Sequence, residues 1–275
     1  MRIDSHHHLW KYNDERDRWI TDDMAVIQRN FLPEDLKPIL HANHIDGTVL
    51  VQTDQSKEEN IFLLANALQH DFIKGVVGWI DLQARDVTDH LAYYKEFKKL
   101  KGFRHILQGE EQRDFMLRPD FKRGIGKLKE HGYTYDILVY PDQLKYTVEF
   151  VKEFPDQPFV LDHLAKPYIK DKRIDDWKKD IQALAVLDNV FCKVSGMVTE
   201  ADWKSWSQND LRPYLDVVVE SFGIARLMYG SDWPVCLVAA SYEKVIDVTL
   251  NYFSSFSEHE QDLIFGKNAT RFYNL

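Results

Sequence analysis

Eight short apolar runs, each followed by a segment of helical periodicity, set the strongest limit on what this chain can fold into. The runs are Arg2–His6, Thr48–Gln52, Ile73–Ile80, Gly102–Leu107, Thr134–Val139, Phe159–His163, Val190–Ser195 and Leu227–Ser231. Between them, Ile61, Leu64, Ala65 and Leu68 recur at i, i+3, i+4 and i+7, and Leu144, Val148 and Val151 repeat that pattern, so each set shares one helix face. The stretch from Asp120 to His131 reads as a helix stopped by Gly132, and Ser257 with Glu260 has capping-box spacing for a last helix. Strands alternating with helices pair in parallel, and roughly eight such units close a (β/α)8 TIM barrel. The competing open, doubly wound sheet calls for a Gly-rich phosphate loop after its first strand, and none is present. No Ser-, Gly- or Pro-rich linker divides the 275 residues, which suits a single α/β barrel domain over 1–275. The long segment Lys11–Pro33, with Trp19 and Phe31, is expected to form an extended loop or lid over the barrel mouth after strand 1.

The formal charge of -9 argues against a nucleic-acid or anionic-membrane surface, so the expected partner is a small-molecule substrate. The basic run Lys95–Lys101 reads as a solvated helix face leading into a strand. Two cysteines, Cys192 and Cys236, are too few for a disulfide scaffold and read as buried free thiols. No secretory signal pattern opens the chain and no apolar run nears the ~20 residues of a membrane span. A cytoplasmic location with no membrane association is the expectation, and the oligomeric state is left open.

A barrel gathers its reacting groups at the C-terminal ends of its strands. His6 and His8 stand two apart on the first strand and share a face, with His7 turned away. Two imidazoles aimed at one point suit a metal ion or a polarised carbonyl. A tag fragment would not sit inside an apolar-bounded strand. Gln52 and Asp54 follow strand two, Arg104 and His105 lie in strand four, and Gln108 stands just beyond it. Tyr140 follows strand five, His163 ends strand six, Lys193 lies in strand seven and Asp232 follows strand eight. Each also has a plainer reading: a core imidazole for His163, a helix cap for Asp232, a snorkelling rim lysine for Lys193. Opposite a His6/His8/His163 cluster, Asp232 reads instead as a general base or metal ligand. His41, His44, His70, His90, His131 and His259 fall in helical or turn stretches and read as surface positions.

Taken in order, His6-x-His8-x-Trp10, Gly102-Phe-Arg-His-Ile-Leu-Gln108, Leu161-Asp-His-Leu-Ala-Lys-Pro167, Lys193-Val-Ser-Gly196, Gly230-Ser-Asp-Trp-Pro234 and Asn268-Ala-Thr-Arg-Phe-Tyr273 resemble the amidohydrolase superfamily of the amidohydrolase-2 type. More narrowly, they resemble its sugar-lactonase branch, which holds L-fucono-, L-rhamnono- and 2-pyrone-4,6-dicarboxylate lactonases. Each motif is weak alone; the ordered set spans essentially the whole chain. The resemblance implies that His6, His8, His163 and Asp232 form the site. The superfamily's histidine after strand five is missing, since Tyr135–Tyr140 stands there, and strand four offers no obvious carboxylated lysine. A two-metal centre is therefore not implied. What remains is one divalent ion such as Zn2+ on His6, His8, His163 and Asp232, or metal-independent hydrolysis.

The reaction so implied is opening of a lactone ester, with Asp232 as base for the attacking water and later as proton donor to the ring oxygen. Without a metal, N–H groups of His6, His8 and His163 would face the developing oxyanion. Trp10, Gln52, Asp54, Arg104, Gln108, Lys166, Lys193 and Trp233 are the candidate substrate-binding residues. With one arginine clearly at the mouth, a neutral polyhydroxylated aldonolactone is preferred over a dicarboxylated one. The alternatives are a metal-dependent decarboxylase or an aromatic-catabolism lactone hydrolase on the same barrel, and a non-catalytic sugar-binding barrel. An organic-phosphate enzyme would need a Gly-rich cradle at the last two strand ends, which is missing.

Overall fold

In the computed structural model, which describes residues 1–275, eight strands form one parallel sheet in chain order. They are β1 (Ile3–His7), β2 (Gly47–Val51), β3 (Ile73–Gly78), β4 (Leu100–His105), β5 (Thr134–Ile137), β6 (Phe159–Leu161), β7 (Val190–Val194) and β8 (Leu227–Tyr229). The His8 N–H donates to Trp233 O (2.7 Å) and the Asp232 N–H to His6 O (2.8 Å), so the segment after β8 is laced back onto β1. The result is the (β/α)8 barrel expected from the alternation of runs.

Eleven helices accompany the strands: α1 (Pro33–Ala42), α2 (Lys57–Gln69), α3 (Val87–Tyr94), α4 (Pro119–Leu128), α5 (Leu144–Lys152), α6 (Asp175–Ala185), α7 (Met197–Glu200), α8 (Gln208–Phe222), α9 (Tyr242–Phe253), α10 (Glu258–Asp262) and α11 (Asn268–Tyr273). Their ends follow local chemistry. Ser56 accepts from the Glu59 N–H to start α2, and Gly132, at φ 79°, stops the turn that extends α4. Ser257 and Glu260 close a reciprocal capping box at α10. Leu144, Val148 and Val151 are buried, as their spacing requires.

Two sequence expectations need correction. The stripe Ile61–Leu68 does lie on a helix, but Ile61 is 67% and Leu68 81% exposed. Helix α2 instead turns Glu59, Asn60, Leu63 and Ala67 inward, because Asn60 hydrogen-bonds the Trp79 backbone (2.6 and 2.8 Å) and the Tyr94 hydroxyl (2.9 Å). The basic run is not helical either: α3 ends at Tyr94, and the chain turns before β4 begins at Leu100.

Inside the barrel, Ile3, Val49, Val51, Val77, Val160 and Met228 form an apolar floor, closed by Phe272 and Tyr273 of α11. Strict alternation would put Ile3 and His6 on opposite faces of β1. The register between β1 and β2 shifts between Asp4 and His7, and this irregularity lets both contribute to the interior. His7 points away and meets the Thr48 hydroxyl at 2.9 Å.

The segment after β1 is an ordered loop. Trp10 and Phe31 exchange backbone hydrogen bonds (3.0 and 2.9 Å), and a 3-10 turn spans Asp22–Ile27. Edge-to-face aromatic contacts link Trp19 to Trp10 (5.8 Å), Trp10 to Phe31 (5.4 Å) and Phe31 to Trp233 (5.2 Å), which fastens the loop to the segment after β8. Cys192 and Cys236 are buried and free, and no helix is long and apolar enough to cross a membrane.

Candidate active site

At the C-terminal end of the barrel the two imidazoles of β1 meet the carboxylate that follows β8. His6 Nε2 lies 3.2 Å from His8 Nε2, and Asp232 Oδ1 lies 3.3 Å from His8 Nε2 and 3.8 Å from His6 Nε2. His163 Nε2 stands 3.7 Å from the same Asp232 oxygen. All four side chains are nearly or wholly buried. Burial lowers the pKa of His6 and His8 and brings His163 to about 4, so these imidazoles are neutral at physiological pH. Burial alone would raise Asp232, but the facing His163 and His8 outweigh it and hold the carboxyl below its ordinary range.

The hydrogen bonds order the protons on these rings. His8 Nδ1–H donates to Val51 O (2.7 Å), which leaves Nε2 as a lone pair facing Asp232 and His6. A neutral His8 therefore accepts at the site, and the expectation that it donates to an oxyanion is corrected. Lys193 Nζ lies 3.1 Å and Asp162 Oδ1 3.4 Å from His6 Nδ1. A donor and an acceptor thus share one ring nitrogen, and either neutral tautomer of His6 is supported. His163 Nδ1 and the Ser195 hydroxyl hydrogen-bond at 2.9 Å.

Beneath the histidines lies a balanced group of two carboxylates and two cations. Lys193 Nζ donates to Asp136 Oδ2 (2.5 Å) and forms an ion pair with Asp162 Oδ1 (2.9 Å), while Arg104 Nη1 donates to Asp162 Oδ2 (2.9 Å) and the Tyr273 hydroxyl to Asp136 Oδ2 (2.7 Å). Arg104 also donates to the Gln52 backbone oxygen and to its Oε1 (3.1 Å), and Gln52 Nε2 donates to Arg104 O (3.2 Å). Lys193 has no exposed surface and its ammonium is spent on Asp136, Asp162 and His6, so it faces the frame of the site rather than a ligand.

The turn after β6 is unusual. His163, Leu164, Ala165 and Lys166 all have left-handed backbones, at φ 52°, 54°, 57° and 51°. Left-handed backbone costs an L-residue roughly 1–2 kcal/mol, so this turn persists only because its surroundings hold it. Leu164 and Ala165 are buried, and Trp177 Nε1–H donates to Leu164 O (2.7 Å). Gly196, itself at φ 64°, packs on the His163 ring so tightly that a Cβ there would lie 2.7 Å from Nδ1. The turn carries His163 and Lys166 to the same mouth, where Lys166 Nζ sits 3.7 Å from Glu200 Oε1 of α7 and 5.7 Å from the Tyr140 ring.

The other expected residues are more scattered. Trp10 donates to Arg29 O (2.8 Å) and belongs, with Trp233, to the aromatic wall. Asp54 is half-buried in the turn after β2, where Arg16 and Glu59 feel its charge. Gln108 Oε1 and Trp233 Nε1 are buried with no protein partner. Sequence reasoning left Asp136, Asp162, Ser195, Glu200 and Tyr273 unassigned. Their signal was available for two of them: a lone acid inside an apolar strand needs a buried partner. Pairing Asp136 with Lys193, and Asp162 with Lys193 and Arg104, required the barrel.

A tetrahedral ion with ligands at about 2.0–2.2 Å sets those ligands roughly 3.3–3.6 Å apart. The His6, His8 and Asp232 atoms, at 3.2, 3.3 and 3.8 Å, match one face of such a site, and together they form a group able to hold a divalent ion. The alternative group of His6, Asp162 and His163 has its carboxylate already engaged by Lys193 and Arg104. The Val51 carbonyl on His8 orients that ring for coordination.

The chain is similar to known proteins over its whole length. L-fucono-1,5-lactonase of Burkholderia multivorans is 40% identical over 286 residues, covering 100% of this chain and 96% of that protein. L-fucono-1,5-lactonase of Burkholderia ambifaria is 32% identical over 288 residues, covering 100% and 96%. The crystal structure of an amidohydrolase from Burkholderia multivorans with bound zinc superposes with a TM-score of 0.96 at 40% identity, covering 100% of this chain and 99% of that one. The amidohydrolase family model matches residues 3–275, and the chain belongs to the amidohydrolase family.

Proposed function

We propose that this chain hydrolyses the ester bond of a small neutral sugar lactone, of the L-fucono- or L-rhamnono-lactone type. The observation that carries the reading is Asp232 held ionised among three neutral buried imidazoles at the barrel mouth. Full-length similarity to L-fucono-1,5-lactonases supports the substrate class. Asp232 accepts the proton of a water as its oxygen attacks the lactone carbonyl, and the oxygen–carbonyl bond of the ring then breaks. The proton held on Asp232 passes to the leaving ring oxygen, so the carboxylate is restored. When Lys193 donates to His6 Nδ1, His6 Nε2–H faces the site, and His163 Nε2–H does so when Ser195 donates to Nδ1. These donors meet the developing oxyanion.

A divalent ion on His6, His8 and Asp232 would supply carbonyl polarisation and a more acidic water. Gln108 Oε1 and Trp233 Nε1 are one acceptor and one donor for sugar hydroxyls, and Lys166 with Glu200 offers a further pair. Lys193 is assigned to positioning His6, not to substrate. Testing fucono-, rhamnono-, galactono- and xylono-lactones by proton release in a pH-indicator assay decides the matter. Hydrolysis of at least one is expected; inactivity on all, with turnover of muconate-type lactones or loss of CO2 from aromatic acids, would replace the reading.

A further inference from the structure

The three cations whose charge reaches the histidines and Asp232 are Arg104, Lys193 and Lys166. Arg104 is neutralised by Asp162, and Lys193 by Asp136 and Asp162, both pairs beneath the site with little or no exposure. Lys166 alone retains partial exposure, 20% of its side chain, and its charge is balanced by Glu200 at 3.7 Å. That separation is long for a direct ion pair, leaving room for a hydroxyl to bridge the two groups. The left-handed turn at His163–Lys166 and the short helix α7 hold these partners on adjacent loops at the mouth.

We propose that Glu200 is a specificity-determining residue that makes the mouth select neutral over carboxylated lactones. This rests on the lactonase reading above. In a neutral sugar lactone one hydroxyl accepts from Lys166 and donates to Glu200, so both charges are used. A lactone bearing a carboxylate brings a third negative group beside Glu200 and Asp232, while the one accessible ammonium is already committed. Like charges placed together repel, which is the repulsive half of a specificity device. Removing the Glu200 charge frees Lys166 to pair with a substrate carboxylate.

The test compares kcat/KM for a neutral aldonolactone and for a carboxylated one, glucaro-1,4-lactone or 2-pyrone-4,6-dicarboxylate, in the wild type, Glu200→Gln, Lys166→Met and the double variant. Glu200→Gln is expected to raise the carboxylated-to-neutral ratio by about tenfold or more, chiefly through KM, and Lys166→Met in that background to abolish the gain. Inhibition by the glucarate anion gives a second readout and should tighten in Glu200→Gln in parallel. An active Glu200→Gln enzyme with an unchanged ratio and unchanged glucarate inhibition would overturn the proposal while leaving the lactonase reading intact. A wild type that turns over carboxylated lactones but no neutral one would overturn both.

Discussion

Lys193 Nζ stands 3.1 Å from His6 Nδ1 while also binding Asp136 at 2.5 Å, which couples a catalytic-face imidazole to an ion pair with no exposed surface. Removing one member of a buried pair leaves the other's charge uncompensated, which typically costs about 3–5 kcal/mol. Lys193→Met should therefore destabilise the fold by that order in urea or guanidinium titrations. Adding Asp136→Asn should recover part of the loss, because the orphaned carboxylate goes with it. A Lys193→Met protein within about 1 kcal/mol of wild type would show that the pair is not sustaining the barrel interior.

Asp232 is the one carboxylate that faces His6, His8 and His163 together. Asp232→Asn keeps its size and removes its basicity. The expected result is a fall in kcat of about 10²–10⁴-fold on the best lactone, the usual worth of general acid–base catalysis, with a much smaller change in KM. Wild-type turnover in Asp232→Asn would remove this residue from the mechanism.

The pH profile follows from the directions of the shifts. Asp232 is held below the usual carboxylate range, so as the proposed base, which acts deprotonated, it stays competent well into acid. His163 gains its proton only as the pH falls to about 4. Initial rates should thus give a flat kcat/KM from pH 7 to about 5, with the acid limb near or below pH 4. A limb centred near 6.5 would mean that an essential histidine keeps an ordinary pKa, contrary to its burial.

Much of this was legible in the sequence because the constraints were local. Period-2 and period-3.6 patterns mark strands and helices, and β1 shows that residues two apart share a face: His6 and His8 do meet. What stayed hidden depended on distant partners. Lys193 reads from the sequence as a substrate-binding residue, whereas in the fold Asp136 and Asp162, 57 and 31 positions earlier by their numbers, close around it. The outward turn of Ile61 and Leu68 was invisible because Asn60 decides the rotation of α2 by bonding Trp79. The left-handed turn at 163–166 carries no glycine, so propensity gave no warning of it.

The spacing of His6, His8 and Asp232 suits a tetrahedral ion, and their affinity for one is measurable apart from activity. Zn2+ competed against a chromophoric chelator should bind the wild type, and His8→Ala should weaken binding by about 100-fold or more, since a ligand contributes more than the 10–100-fold typical of outer-shell partners. Asp54→Ala, outside that group, should leave the affinity unchanged. Equal affinity in wild type and His8→Ala would place any bound zinc elsewhere.

Gly196 tests the tightness of packing around His163. At φ 64° a non-glycine residue costs roughly 1–2 kcal/mol, and here the added methyl also meets the His163 ring, 2.7 Å away. The ring cannot slide freely, because its own backbone is left-handed and Ser195 holds Nδ1 at 2.9 Å. Gly196→Ala should lower Tm by several degrees and reduce kcat/KM by about tenfold or more at temperatures where the protein is still folded, as expected when a catalytic group is misplaced by even 1 Å. Gly132→Ala is the control: at φ 79° and ψ 24° it shares the left-handed backbone of Gly196, yet nothing lies within 4 Å of its Cβ position. It should lose comparable stability while keeping wild-type turnover. If the two variants lose activity equally, backbone strain alone explains the effect and the contact with His163 has no part in catalysis.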